Sequence, residues 1–308
     1  MSKMETVGEC IHIISPKVKN AIAKGDKGYI QELALRQAKA GAQALELNIG
    51  PQKKAGPEVM EWMVDAVQEV VDLPLSLDTT NLAAMEAGLK RARKRAIVNS
   101  ASAAPERLES MPPLAAKYNA RLIALTMGKN IPPSAEARIE IAMETLMPRI
   151  LEVGLSLEDV YFDPLILTVC GMQQYVMQGV ETVRFLKQIA EPPPKTIVGL
   201  SNVSNGAPHE GRSLINRTYL VMLMAAGLDA AIADPLDPRL WEFIRLVEER
   251  DDSTPVGRLL LRLYDAVASM GELSPDDVDM SDPEQVAIYK TVQILENKVI
   301  YADSYLRV

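Results

Sequence analysis

The chain has 308 residues, 48% of them hydrophobic, and a formal net charge of −8. That is enough apolar chain for a sizeable core in a soluble globular protein, and the acidic balance argues against general affinity for nucleic-acid phosphates, which needs clustered positive charge. Cys10 and Cys170 stand in no paired spacing, the opening MSKMETVGEC has no apolar signal core, and no apolar run approaches a bilayer span, so a reduced, cytoplasmic protein with no membrane anchor is expected.

Strand-like runs alternate with helical ones along the chain, which predicts a parallel sheet with crossover helices. The first strand covers 7–14 and carries the motif GECIH at 8–12, with Glu9, Cys10 and His12. Ser15-Pro16 supplies an N-cap and a proline at the first helical position, and Gly25 ends that helix. A second strand at 44–49 closes on Asn48. Gly56-Pro57 then opens the amphipathic run EVMEWMVDAVQEV, in which Val59, Met63, Ala66, Val67 and Val70 share one face.

The third strand, 73–79, ends in LSLDTTN with Asp78 just ahead of a helix starting near Asn81; the fourth, 96–100, carries Asn99. Between them LKRARKR at 89–95 is the densest positive patch, and it falls at a helix C-terminus, where cations complement the dipole and stay solvated. A fifth strand spans 121–127. The sixth, 160–167, contains Asp163 followed by Pro164, a residue that interrupts a strand ladder. The seventh, 196–203, contains Gly199, Ser201 and Asn202, the glycine allowing the backbone to come close to a bound molecule.

Asn205 and His209 follow in the loop NGAPHEGRS. Ala104-Pro105, Ser134 and Ser213 mark helix starts, and Arg212 and Arg217 flank the last of these, near where barrels bind anionic groups; either can meet a carboxylate tail. The eighth strand, 230–234, ends on Asp234. Helices follow over 238–249, 256–270 and 283–297, then the tail VIYADSYLRV. DDSTP at 251–255 and the acidic GELSPDDVDMSDPE at 271–284 read as surface loops. The expected fold is therefore α/β, a (β/α)8 TIM barrel with extra C-terminal helices. One domain should span 1–308, with 251–284 as decoration too short for a core of its own.

In such a barrel the strand ends meet at one mouth, and Glu9, Asn48, Asp78, Asn99, Asp163, Asn202 and Asp234 all sit at strand ends. A lone aspartate there is most simply a helix cap. Several acids and amides on successive strands also suit a flat polar heterocycle, because a carboxylate accepts a pair of N–H bonds from the amino-imine edge of a pterin or purine. Spacing alone leaves caps and a heterocycle pocket equally open. His12 reads as a satisfied buried imidazole rather than a base, and with His209 it forms no ligand spacing, so no metal site is expected. The methionines at helical spacings are core packing. No GxGxxG or GxxxxGK[ST] element occurs, which disfavours dinucleotide or nucleoside triphosphate binding.

Taken in order, LELNIGP (45–51), LDTTN (77–81), IVNS (97–100), YFDPLIL (161–167), VGLSNVS (198–204), LINRTYL (214–220) and GLDAAIADP (227–235) resemble the pterin-binding methyltransferases. The nearest resemblance is to the methyltetrahydrofolate:corrinoid protein methyltransferases, with the folate domain of cobalamin-dependent methionine synthase and dihydropteroate synthase further off. The resemblance implies that Asp78, Asn99 and Asp163 hold the pterin ring and that Asn202, the catalytic residue, hydrogen-bonds near N5. Gly199 and Ser201 would line the same site, Arg212 matches a family arginine at the folate, and Glu9, Asn48, Asp234 and Asn205 are further candidates.

The resemblance also implies a homodimer, methyltetrahydrofolate or tetrahydrofolate as substrate, cobalamin carried by a separate corrinoid protein, and no metal bound by this chain. A dihydropteroate synthase-like enzyme and a non-catalytic pterin- or corrinoid-binding module are the alternatives. The usual family opening GERIN is here GECIH, which keeps Glu9 but sets Cys10 and His12 in place of arginine and asparagine. The loop NGAPHEGR and the stretch 251–284 are also longer than in compact members.

Overall fold

A computed structural model describes residues 3–52 and 54–304; residues 1–2, 53 and 305–308, the last including the end of the VIYADSYLRV tail, lie outside the described residues. Eight parallel strands close a barrel in chain order. They are β1 Glu5–His12, β2 Ala44–Asn48, β3 Leu75–Asp78, β4 Ile97–Ser102, β5 Arg121–Leu125, β6 Val160–Asp163, β7 Lys195–Gly199 and β8 Ala230–Ala233. Closure is made by β1 on β8, with Val7 opposite Ile232 and Gly8 opposite Ala233.

The two-residue period of a strand sorts each side chain. Leu45, Leu47, Leu75, Leu77, Leu122 and Phe162 face outward into the core beneath the helices. Alternate residues, Val7, Ala44, Ile97, Ile123, Tyr161, Ile197, Ala230 and Ile232, pack on one another inside the barrel. Below this apolar layer a polar group lies at the N-terminal end: Tyr161 Oη donates to Glu5 Oε2 at 2.6 Å, and Arg121 Nη1 donates to Tyr161 Oη at 3.0 Å. Lys195 Nζ lies 5.9 Å from the centre of the Tyr161 ring. The barrel interior is thus filled from its floor, as packed barrel cores are, and the polar residues above the apolar layer lie toward the C-terminal mouth.

Helix Gly56–Gln68 buries Met63, Ala66 and Val67 as its pattern predicts, but Met60 and Val64 are fully buried too, Val59 is only partly covered, and Val70, expected on the same face, lies in the turn beyond the helix end. It lies close against helix Leu82–Arg91 because Gly88 has no side chain: a Cβ there would stand 2.7 Å from Met60 Cγ and 2.8 Å from Leu77 Cδ1. A second N-terminal helix, Lys27–Lys39, follows the first with no spacer beyond Gly25 and Asp26 and is capped by Asp26, whose Oδ1 accepts from Tyr29 N at 3.2 Å. Ser15 occupies the preceding N-cap without a side-chain bond.

Several boundaries depart from the periodicity, each for a local reason. β1 runs to His12 rather than 14 and carries a bulge that sets Glu9 and Cys10 together opposite Glu46. β6 stops at Asp163 rather than 167, since Pro164 has no N–H to give and Leu165 adopts a φ of 64°. β7 stops at Gly199 rather than 203, where Leu200–Ser204 wind into a 3-10 turn. The helix expected from Ser213 begins at His209 and runs to Ala225, with Pro208 at its N-cap and Glu210 in its first turn. His209 is therefore a helical residue, not part of the loop, and Arg217 lies mid-helix.

After β8 come helices Pro238–Glu248, Pro255–Ala268 and Pro283–Leu295. Leu259, Leu260 and Leu263 are buried in the same core as Tyr219, Leu220 and Leu223, so the middle helix of the C-terminal stretch packs against the helix that follows β7. Among the described residues no helix is long and apolar enough to cross a membrane.

Candidate active site

Three neighbouring strands bring a polar row to the mouth: Asn48 pairs in register with Asp78, and Asp78 with Asn99. Asn48 Nδ2 donates to Asp78 Oδ2, while Asn48 Oδ1 accepts from Gly50 N at 3.0 Å. Both ends of that amide are occupied, so Asn48 holds Asp78 and leaves the remaining carboxylate lone pairs for a ligand. Arg107 donates to Thr80 O at 3.2 Å and to Ser100 O, clamping the loops after β3 and β4 and setting a guanidinium near Asp78. Burial pushes Asp78 up to about 6, against the pull of Arg107 and of Asn48.

Asp163 ends β6 on the other side of the barrel and is 8% exposed. Its Oδ1 accepts from Leu165 N at 2.7 Å. Arg138, fully buried, donates to Pro132 O at 3.0 Å, Pro164 O at 2.9 Å and Leu165 O at 3.3 Å, fastening the turn that aims the carboxylate. Burial raises Asp163 to about 7, with the Leu165 N–H and the Arg138 charge opposing it less strongly.

A third group lies where β7, β8 and β1 meet. Ser201 Oγ donates to Glu9 Oε1 at 2.6 Å, Asn216 Nδ2 donates to Ser201 Oγ at 3.4 Å, and Arg212 reaches Ser204 Oγ at 3.2 Å and Ser201 O at 3.5 Å. Burial, with Asp234 adding its charge, outweighs Ser201 and Arg212 and pushes Glu9 up to about 7. Cys10 Sγ donates to Asp234 Oδ1 at 3.2 Å, and burial followed by Asp234 drives this thiol up, the reverse of an activated thiolate. Asp234 also accepts from Leu236 N at 2.9 Å.

Asn202 lies exposed in the turn after β7, and its carboxamide makes no hydrogen bond among the described residues. The amide folds back over Gly199, where a Cβ would stand 2.9 Å from Asn202 Nδ2. Gly199 therefore makes room for Asn202 rather than for the ligand directly. Asn205 is exposed, and its carbonyl accepts from Thr168 Oγ1 at 2.5 Å. His12 is half-buried and its ring has no hydrogen-bond partner among the described residues, so the satisfied imidazole expected from its strand position is not what forms; burial lowers its pKa and keeps it neutral.

Glu46 is the residue the strand-end pattern overlooks. It is 7% exposed, its Oε1 accepts from Asn99 Nδ2 at 3.0 Å, and burial together with Asp78 and Glu9 raises it well above the ordinary carboxylate range. It precedes Asn48 by two residues and so shares its face, a signal present in LELN. Arg107 and Arg138 arrive from helices outside the barrel, and no local motif marks them. Among the described residues no group of three or more His, Cys, Asp or Glu is placed to hold a metal ion.

The mouth thus presents carboxylates and an amide oxygen to any ring bearing several N–H donors, with one unengaged carboxamide at its edge. A family model for pterin binding enzymes matches residues 17–234. A methylcorrinoid:tetrahydrofolate methyltransferase of Eubacterium limosum is 28% identical over 235 residues, covering 75% of this chain and 85% of its own length. Methionine synthase of Mycobacterium leprae (strain TN) is 27% identical over 236 residues, which is 73% of this chain but 20% of that much longer protein. Among solved structures, a Yersinia pestis DHPS with a pterine-sulfa conjugate has a TM-score of 0.59 at 16% identity, over 80% of this chain and 93% of its own. Dihydropteroate synthase from Thermus thermophilus has a TM-score of 0.58 at 18% identity, over 80% of this chain and 94% of its own.

Proposed function

Because this chain belongs to the pterin binding enzyme family, we propose that it is a methyltransferase moving a methyl group between N5 of tetrahydrofolate and the cobalt of a corrinoid carried by a separate protein. The observation that carries the reading is the match to the methylcorrinoid:tetrahydrofolate methyltransferase over most of both chains. The acceptor-rich mouth supports its pterin half. The dihydropteroate synthase alternative rests on similarity of fold alone.

In this reading Asp78 and Asp163 accept from the amino and ring N–H groups of the pterin, Asn99 presents an amide to the same ring, Ser201 and Arg212 shape the wall beside it, and Gly199 gives Asn202 its room. Transfer of methyl from a tertiary amine is slow because N5 leaves as a basic nitrogen, and a hydrogen bond or proton supplied there as the C–N bond breaks contributes ~10² to 10⁴ in rate. The exposed, unengaged carboxamide of Asn202 can turn its Nδ2 toward N5 for that purpose and its Oδ1 toward an N5–H in the opposite direction of transfer. The corrinoid, when its carrier is docked, supplies the metal that takes or gives the methyl group. This chain needs to orient the ring, exclude water and manage the proton at N5.

We read the protein as a cytoplasmic homodimer of one pterin-binding domain per chain, its C-terminal helices part of that domain and its own residues binding no metal. The test is to mix the protein with methyltetrahydrofolate and chemically reduced cobalamin: enzyme-dependent appearance of the methylcobalamin absorption spectrum is expected, and no rate above the protein-free control would overturn the proposal.

A further inference from the structure

Glu46 has no part in the reaction as described, yet an acidic side chain is buried beside Asn99 and makes no salt bridge among the described residues. Two negative neighbours, Glu9 and Asp78, make that position less favourable still. A residue kept only to fill space there would be better as leucine or glutamine. What Glu46 does have is one directed bond: Asn99 Nδ2 donates to its Oε1 at 3.0 Å.

A primary amide can present either of two faces, a donor NH2 or an acceptor oxygen, and the two are nearly the same shape. Glu46 Oε1 can accept from Asn99 when the carboxyl is ionised and also when its proton sits on the other oxygen; the amide sets its Nδ2 against Oε1, which leaves its Oδ1 turned away from Glu46. The neighbouring Asn48 differs in this respect, since both its ends are consumed within the protein. Asp78, in register with Asn99, offers acceptors at the same level. The wall built by β2, β3 and β4 is therefore an acceptor wall.

We propose that Glu46 is a positioning residue that locks the Asn99 carboxamide with its oxygen toward the ligand, and that this lock selects pterins whose ring nitrogens carry hydrogen over pterins in which they do not. A tetrahydropterin has N–H groups in its reduced ring; in the fully oxidised pterin of folic acid the same nitrogens are bare acceptors, and acceptor against acceptor is repulsive. Glutamate at position 46 is thus a determinant of ligand oxidation state. The inference rests on the pterin reading of the mouth given above and goes beyond it in assigning selectivity to a residue that does not touch the ligand.

The experiment measures the affinity of tetrahydrofolate and of folic acid for the whole protein and for Glu46→Gln, Glu46→Leu and Asn99→Leu, with thermal melting of each. Glutamine can offer an NH2 to Asn99 Oδ1 and so permits the flipped amide, while leucine offers no partner at all. Both Glu46 variants should melt no lower than the parent and should lose about tenfold of the preference for tetrahydrofolate over folic acid, the size of one hydrogen bond exchanged for a mismatch. A role in packing alone would weaken both ligands together and leave their ratio unchanged. If Asn99→Leu weakens tetrahydrofolate but the ratio is unaltered in both Glu46 variants, the lock is overturned and the pterin site stands. If Asn99→Leu binds tetrahydrofolate as the parent does, the pterin reading of the mouth falls, and the lock with it.

Discussion

Asn202 and Gly199 show how a single side chain acquires freedom to act. The carboxamide is exposed, engaged by nothing among the described residues, and sits over Gly199, which has no Cβ to crowd it. Asn202→Ala should therefore lower turnover by roughly 10²-fold, as loss of a transition-state donor does, while stability changes by no more than about 0.5 kcal/mol, as for other exposed substitutions. Gly199→Ala is the subtler experiment, because the new methyl would meet the Asn202 amide at 2.9 Å and push only a movable side-chain end. Its expected signature is a fall in kcat of about tenfold with tetrahydrofolate affinity retained, since small misplacements of a reacting group are costly; a fall in affinity with kcat unchanged would reverse the assignment of the two residues. Asp78, Asn99 and Asp163 are legible in the sequence because each interrupts a β-branched or apolar run with a polar group. Glu46 escapes notice because a following asparagine ends its strand and draws attention to itself, and Asn48 is visible at the rim although its hydrogen bonds are spent on Gly50 and Asp78.

Elements were readable where periodicity and chemistry agree, and misread where apolar residues continue past the end of a strand. Ile166, Leu200 and Val203 are buried, so the runs after Asp163 and Gly199 look like strand to any pattern of hydrophobicity. Pro164, the left-handed Leu165 and the 3-10 turn at Leu200–Ser204 end the ladders for backbone reasons that the pattern does not contain. The same holds for the helix His209–Ala225, whose first turn is polar and so reads as loop. Packing between elements gives a sharper handle. Gly88 lies where the helices Gly56–Gln68 and Leu82–Arg91 and strand β3 converge, with Met60 and Leu77 both under 3 Å from the missing Cβ. Gly88→Ala gains helix propensity worth about 1 kcal/mol in an open helix, but here overpacking at a cost of roughly 1–3 kcal/mol should dominate. Urea unfolding is expected to show a net loss of stability, and a gain would mean that Met60 moves aside freely.

At the scale of the whole molecule the mouth is a store of unfavourable charge. Glu9 and Asp163 are raised to about 7, Asp78 to about 6 and Glu46 well above its ordinary value, burial being the first cause in each. Raised acids hold their protons in the folded state at a pH where the unfolded chain has released them. Their contribution to stability is complete below the ordinary carboxylate pKa of about 4 and is lost as pH climbs through about 6 and 7. Stability of the ligand-free protein should accordingly fall by a few kcal/mol between about pH 5 and about pH 8, because a tenfold change in one carboxyl's proton affinity on folding is worth about 1.4 kcal/mol. Surface acids such as Asp251, held at about 2 by Ser253 and Arg245, act in the opposite sense only at lower pH. Denaturant titrations at the two pH values check this, and a flat or rising profile would contradict it. The eight-strand rhythm was plain in the sequence; this concentration of charge was not, because it depends on which strands become neighbours across the closed barrel.

The polar floor made by Glu5, Arg121 and Tyr161 has a kinetic consequence. Under the proposed function a small ligand and a large carrier protein would both work at the C-terminal mouth, because among the described residues this polar group and the apolar layer above it fill the other end of the barrel. A carrier seated there would cover that mouth, so the proposed function predicts that the folate boards first and leaves last. Excess carrier should then slow the reaction by trapping the empty enzyme, and raising the folate concentration should relieve the trap.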